Sequence, residues 1–323
     1  MRAPGFWSRR GSPISILLTP LGALYAHATA RRLARPGVRL DVPVICVGNL
    51  TAGGAGKTPT VIWLAPQVPG AHILSRGYGG SLDGPVRVDP DRHSADQVGD
   101  EPLLLSAIAP TWVAKDRVAG ARAACAAGAG AILMDDGFQD PALVKDLSIV
   151  VVDAQSGFGN GRVIPAGPLR EAVSTGLDRA DVVLTVGRPA AQAGLSLPAS
   201  VPRVQGHLAP LATGMTWKDL PVFAFAGIAR PEKFFDTLRD LGADVKGTEA
   251  LSDHQPLTRA LLKRLGDRAA ALSAQPVTTE KDAVRLPATL RGRVLIVPIR
   301  LEIEDPSALR TRLDALLKRN GPA

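Results

Sequence analysis

The chain has 323 residues, of which 46% are hydrophobic, 21% charged and 4% aromatic. It is longer than one usual domain, and this composition excludes a disordered or collagen-like polymer. No unbroken apolar run of about 18 residues offers a bilayer span, and two cysteines, Cys46 and Cys125, cannot form a disulfide framework or a cysteine zinc site. The net charge of +8 is concentrated: Arg2, Arg9, Arg10, Arg31, Arg32, Arg35 and Arg39 fall in the first 40 residues, where no acid occurs, and the rest is close to neutral.

From the N-terminus, Ser12-Pro13 and Thr19-Pro20 each read as an N-cap followed by proline at the first helical position. Ile14, Leu17, Leu18, Leu21, Leu24, Tyr25 and Ala28 recur at helical spacing until Pro36-Gly37 ends the pattern. Basic residues beside apolar sequence suit an anionic lipid surface, whereas a nucleic-acid channel would interleave its cations with aromatics. Residues 1–40 are therefore expected to be a basic amphipathic segment that lies on a membrane, with no nucleic-acid partner.

From Val42 short β-branched runs alternate with helix-like stretches: VPVICVGNL, AHILS, TWVAK, AGAILMD, LSIVVVDA and ADVVLTVG. This alternation predicts an α/β fold with a parallel sheet. A Pro/Ala/Gly/Ser-rich patch from Arg188 to Pro202 predicts a loop. A second strand–helix series starts at LPVFAFAGI and runs through Arg293–Ile299 to a final helix after Asp305-Pro306. A boundary near 205–216 divides the body into a domain at 41–210 and a smaller α/β domain at 211–323, with a cleft between them.

The chemistry concentrates in Thr51-Ala52-Gly53-Gly54-Ala55-Gly56-Lys57-Thr58, which follows a predicted strand and opens a predicted helix. Small residues let backbone N–H groups close around a β-phosphate, Lys57 neutralises the β/γ oxygens and the Thr58 hydroxyl binds Mg²⁺. Thr51 stands where the usual loop has its first glycine. Ala131–Met134 followed by Asp135 and Asp136 supplies an apolar strand ending in carboxylates for the metal. Neighbouring strand residues point to opposite faces, so either aspartate can be the one that faces it.

The kind of P-loop protein follows by elimination. No Asn-Lys-x-Asp for guanine exists, and Asp96-Gln97-Val98-Gly99 lacks a preceding apolar strand. The signature lysine of deviant partition-type ATPases is replaced by Ala52. A kinase remains, with a P-loop ATPase switch or chaperone acting on a protein partner as the alternative. Over nearly its whole length the chain resembles the tetraacyldisaccharide 4'-kinases, through LTPLGALY (18–25), VGNLTAGGAGKTP (47–59), SRGYGG (75–80), VGDEPLLL (98–105), DRVAG (116–120), MDDGFQD (134–140), PAGPLRE (165–171), FAGIARPEKFF (227–235), SDH (252–254) and TTEKDAVRL (278–286).

That resemblance implies a P-loop NTPase-like parallel-sheet domain, a smaller α/β domain closing over the cleft and an N-terminal membrane-associating helix. It implies ATP and Mg²⁺ dependence, a lipid A precursor disaccharide as acceptor and a peripheral position on the cytoplasmic face of the inner membrane, with no obligate protein partner. Asp100, at a helix start, is implied to activate the acceptor hydroxyl together with His254 of the other domain. Arg76, Arg117 and Arg170 sit in matching motifs and are expected to bind phosphoryl oxygens bidentately. Glu101 joins Thr58, Asp135 and Asp136 as an expected metal ligand. Tyr78 and Gln139 are weaker candidates, and Gln255 replaces a second histidine frequent in the family. Thr279 before Glu280-Lys281-Asp282 also reads as a helix cap.

Overall fold

Apolar runs of about five residues form the middle of a large sheet, because a parallel strand covered on both faces needs apolar side chains on both. The computed structural model describes residues 4–198, 200–253 and 255–320. Its first long element is α1 (Pro13–Leu33). Next come β1 (Val44–Gly48), α2 (Lys57–Leu64), β2 (Ala71–Ser75), β3 (Val86–Arg87), α3 (Ala95–Val98), α4 (Asp100–Ser106), β4 (Thr111–Val113) and α5 (Arg117–Ala126). They are followed by β5 (Ala131–Asp135), β6 (Leu147–Asp153), α6 (Val173–Leu177), β7 (Val182–Val186), α7 (Pro189–Ala193) and β8 (Arg203–Pro210). The patch expected to be a loop thus contains α7, started by Pro189 at its first position.

The second series comprises β9 (Pro221–Ala226), α8 (Pro231–Asp240), β10 (Asp244–Ala250), α9 (Arg259–Ala271), β11 (Gln275–Thr279), α10 (Glu280–Ala283), α11 (Ala288–Arg291) and β12 (Leu295–Val297). The chain ends with β13 (Ile299–Ile303) and α12 (Ser307–Asn320). Nine strands form one sheet in the order β13-β8-β7-β6-β1-β5-β2-β4-β3, and four form a second in the order β10-β9-β11-β12. Only the edge strands β3 and β13 pair antiparallel. The last strand and helix, expected with the smaller unit, lie on the large sheet: β13 pairs with β8, and Leu309 and Leu313 of α12 join its core.

Alternation along each central strand sends side chains to two separate cores. Ile45, Val47, Ile73, Leu133 and Ile149 pack on one face, and Val44, Cys46, Leu74, Ile132 and Val150 on the other. With both faces occupied, the carboxyl ends of the strands are the free edge, where ligands of open α/β sheets bind. The loops after β1, β2, β5 and β6 all emerge there.

Helix α1 inverts the ordinary amphipathic pattern. Its buried residues are Ser15, Gly22 and Thr29, spaced by seven on one face, whereas Ile14, Ile16, Leu17, Leu21 and Leu24 are exposed, Leu17 by 79%. The Ser15 hydroxyl donates to the Ala166 carbonyl at 2.7 Å and accepts from Asn160 Nδ2 at 2.7 Å. Gly22 lies against Val163, where an added Cβ would come within 2.8 Å of the carbonyl oxygen. Two helix starts are expected from the sequence, but one helix forms, with Pro20 inside it. The Thr19 hydroxyl donates back to the Ser15 carbonyl instead of capping. Among the described residues no helix is long and apolar enough to cross a membrane.

Candidate active site

The phosphate-binding loop is folded by its own strand end. Buried Asn49 donates through Nδ2 to the carbonyls of Thr51 and Gly53 at 2.8 and 3.2 Å, and its Oδ1 accepts from Lys57 Nζ at 3.2 Å. Gly53 and Gly56 take φ of 119° and 97°, which a side chain would strain, and Gly56 sets the turn into α2. The segment 168–170 clamps the loop from outside: Ala52 N–H donates to the Pro168 carbonyl at 2.7 Å and Arg170 N–H to the Leu50 carbonyl at 2.8 Å. The Ala52 N–H is therefore used by the fold, leaving the amides from Gly53 onward to face a phosphate.

Two adjacent carboxylates at the end of β5 have opposite environments. Asp136 lies 3.5 Å from Lys57 Nζ and accepts both Arg170 terminal nitrogens, at 3.1 and 3.3 Å. Burial opposes its ionisation, yet Lys57 and Arg170 outweigh this and hold its carboxyl below the usual range. Asp135 is fully buried, and burial followed by the charge of Glu101 pushes its carboxyl up to about 7. Its Oδ1 has no hydrogen-bond partner among the described residues, while Oδ2 faces the Ser75 hydroxyl at 3.4 Å. A divalent cation at this oxygen would satisfy the orphan acceptor and offset the repulsion from Glu101. No group of three or more candidate metal-binding side chains occurs among the described residues.

The arginines divide into three kinds. Arg76, on the loop after β2, is exposed into the cleft. Arg170 is bound bidentately to Asp136 at the loop mouth. Arg117 is buried at the wall of the cleft, and its terminal nitrogens donate to the carbonyls of Leu74, Asp135 and Asp136 at 2.9, 3.2 and 3.2 Å. A guanidinium committed to three carbonyls ties the ends of β2 and β5 together from beneath the carboxylates.

Asp100 opens α4 and is buried, 3.3 Å from Arg285 Nε of the second series. Glu101 accepts from Lys281 Nζ at 3.2 Å. Thr279 caps α10, its hydroxyl accepting from Asp282 N–H at 3.1 Å. His254 lies outside the described residues. Thr58, Lys57, Glu101, Asp135 and Arg170 line one cleft of about 2320 Å³, which extends to Tyr25 and Arg32 of α1. Sequence reasoning missed Asn49, Ser75, Arg285 and Glu171, whose Oε1 accepts from Gln139 Nε2 at 3.0 Å. Each has a polar side chain within or beside a motif that was read for other residues.

Residues 14–318 match the LpxK family, described as tetraacyldisaccharide-1-P 4'-kinase. Two curated tetraacyldisaccharide 4'-kinases are close relatives. That of Dinoroseobacter shibae is 61% identical over 98% of each chain, and that of a Jannaschia species is 58% identical over 99% of this chain and 100% of its own. A crystal structure of LpxK from Aquifex aeolicus, described as in complex with ATP, superposes with a TM-score of 0.79 over 94% of this chain and 99% of its own, at 24% identity, so it shares the fold. With matches of this length and identity, the chain belongs to the tetraacyldisaccharide-1-P 4'-kinase family.

Proposed function

We propose that the protein transfers the γ-phosphoryl group of ATP to the 4'-hydroxyl of a tetraacyldisaccharide 1-phosphate, a lipid A precursor, at the cytoplasmic face of the bacterial inner membrane. The observation that carries this reading is the continuity of one cleft from the P-loop and its carboxylates to the exposed apolar helix α1. A lipid acceptor needs both ends of that cleft at once. Neither a nucleic acid nor an obligate protein partner is part of the reading.

Amides from Gly53 to Thr58 and the Lys57 ammonium bind the β- and γ-phosphates. Thr58 and Asp135, with Glu101 beside them, would hold Mg²⁺, which would supply charge neutralisation for the transferring phosphoryl group. Asp136 keeps Lys57 and Arg170 at the mouth of the loop, and Arg170 and Arg76 face the transferring group. The acceptor oxygen forms a bond to the γ-phosphorus while the bond from that phosphorus to the β–γ bridging oxygen breaks. The hydroxyl proton passes to Asp100, with His254 as its partner. Positioning and charge stabilisation carry most of the rate, because phosphoryl transfer is usually loose.

The exposed face of α1 rests in the acyl region of the membrane, and the arginines of residues 1–40 meet anionic head groups. Residues 41–210, joined by the last strand and helix, form the nucleotide-binding part of the reading, and residues 212–297 contribute the smaller part that closes on the acceptor. The test is ADP release by purified protein with ATP and Mg²⁺, with and without the tetraacyl disaccharide 1-phosphate, alongside the mass of the lipid product. Acceptor-dependent ADP release with a gain of one phosphate is expected. Equal hydrolysis without acceptor would favour an ATPase switch.

A further inference from the structure

Arg285 follows α10 and makes four contacts, three within the second series and one outside it. Nη1 donates to the Gln255 carbonyl at 2.7 Å, and Nη2 reaches the Gly227 carbonyl at 3.5 Å and the Asp282 carboxylate. Nε lies 3.3 Å from Oδ2 of Asp100, on the large-sheet side, and both side chains are less than a tenth exposed. Asp282 is itself fixed, its oxygens accepting from Gly227 N–H at 3.0 and 3.1 Å and from the Thr279 hydroxyl at 2.7 Å. A planar guanidinium held along one edge by fixed acceptors keeps its charge in a set place, which a lysine ammonium cannot do; here that charge forms an ion pair with Asp100, without a hydrogen bond from Nε among the described residues.

The Gln255 contact gives this arrangement a second consequence. Ser252 and Gln255 are bonded to each other: Gln255 N–H donates to the Ser252 carbonyl at 2.9 Å, and Ser252 N–H to Gln255 Oε1 at 2.9 Å. Arg285 holds Gln255 through a main-chain oxygen, which any residue at 255 supplies. Facing Asp100 on this side are Arg285 with Asp282 behind it, and Lys281 bound to the neighbouring Glu101.

We propose that Arg285 is a positioning residue for phosphoryl transfer, holding the Asp100 carboxylate by their ion pair and fixing Gln255 of the second series beside it. The proposal rests on the reading of Asp100 as the proton acceptor. Among the described residues no contact of Arg285 reaches the phosphate loop, so its expected effect is on turnover and not on ATP binding.

Steady-state kinetics of Arg285→Met, Arg285→Lys, Asp100→Asn and the two double variants test it, with binding of a fluorescent ATP analogue as the check on the nucleotide site. Arg285→Met is expected to lower kcat about 30-fold or more with KM for ATP changed less than about twofold, and Arg285→Lys to recover only part of kcat. In the Asp100→Asn background the same replacements should cost less than about threefold, because residues that act as a unit are not additive. Near-normal kcat in Arg285→Met, the full loss repeated in the Asp100→Asn background, or loss of nucleotide binding with kcat would overturn the proposal. Near-normal kcat in Asp100→Asn alone would instead remove the proton-acceptor reading. Should Arg285→Met fail to fold, Arg285→Lys keeps the buried positive charge and carries the same comparison.

Discussion

Lys57 and Asp136 sit 3.5 Å apart at the mouth of the loop, with Arg170 on the same carboxylate. A lysine so placed needs only a small movement to exchange a carboxylate for a phosphate. Lys57→Ala is expected to cost at least about 3 kcal/mol of transition-state stabilisation, read as a hundredfold or greater fall in kcat/KM. Asp135 gives a pH-dependent signal. Its folded carboxyl, pushed up to about 7, holds a proton that the unfolded chain releases near pH 4. Without metal its contribution to stability is therefore favourable at low pH and is lost as pH rises toward and through 7. A bound cation takes over from that proton, so the gain in Tm on adding Mg²⁺ should be larger at pH 8 than at pH 6, and Asp135→Asn should remove the difference. An equal gain at both values would mean that the cation sits elsewhere. The sequence made both aspartates visible but not their division of labour, which depends on Arg170 arriving from 34 residues further along the chain. The same limit applies to Arg117, whose motif gives no sign that three carbonyls surround it.

At the level of elements, the central strands were legible because apolar runs of that length between turn signals have few other places to go. The edges were not: β3 has only two residues, and β8 keeps a buried alternation only over its first four residues before ending in half-exposed and exposed positions. Helix α1 was legible as a helix, but its orientation was not, because periodicity marks an apolar face without saying whether protein or lipid covers it. The buried seam is Ser15, Gly22 and Thr29, and Ser15 and Gly22 are small enough for the helix to lie directly on the 160–166 segment. Because that segment runs into the 168–170 clamp on the phosphate loop, removing the whole helix would disturb both. Point changes on the outer face separate the roles: Leu17→Asp with Leu21→Asp should release the protein from anionic vesicles in flotation while leaving binding of an ATP analogue unchanged. Binding of the unaltered protein should weaken with salt, since each basic group near an anionic surface is worth about 1 kcal/mol and is screened over about 8 Å at physiological ionic strength. Flotation of the double variant equal to that of the parent would place membrane contact on another surface.

For the whole molecule, the instructive feature is where the chain leaves and rejoins the large sheet. β8 and β13 are neighbours, Pro210 opposite Ile299, and Leu211 N–H donates to the Pro298 carbonyl at 2.8 Å. Everything between them, including the entire four-stranded sheet, is an insertion between two paired strands. The sequence shows that a second series begins near residue 220 but not that it ends before the last strand and helix, because hydrophobic period carries no information about which sheet a strand joins. Replacing residues 212–297 by a short Gly/Ser link should leave a folded protein that binds an ATP analogue and transfers nothing, since closing so small a gap costs little loop entropy. Loss of nucleotide binding in that variant would show that the large sheet depends on its insertion. The side-by-side exit and return also restrict how the inserted part can move. Two adjacent crossings act as the paired pins of a door, leaving rotation about one axis easy and sliding or twisting hard. Any opening of the cleft would then follow that one axis, carrying Arg285 and Gln255 together out of and back into the contact with Asp100.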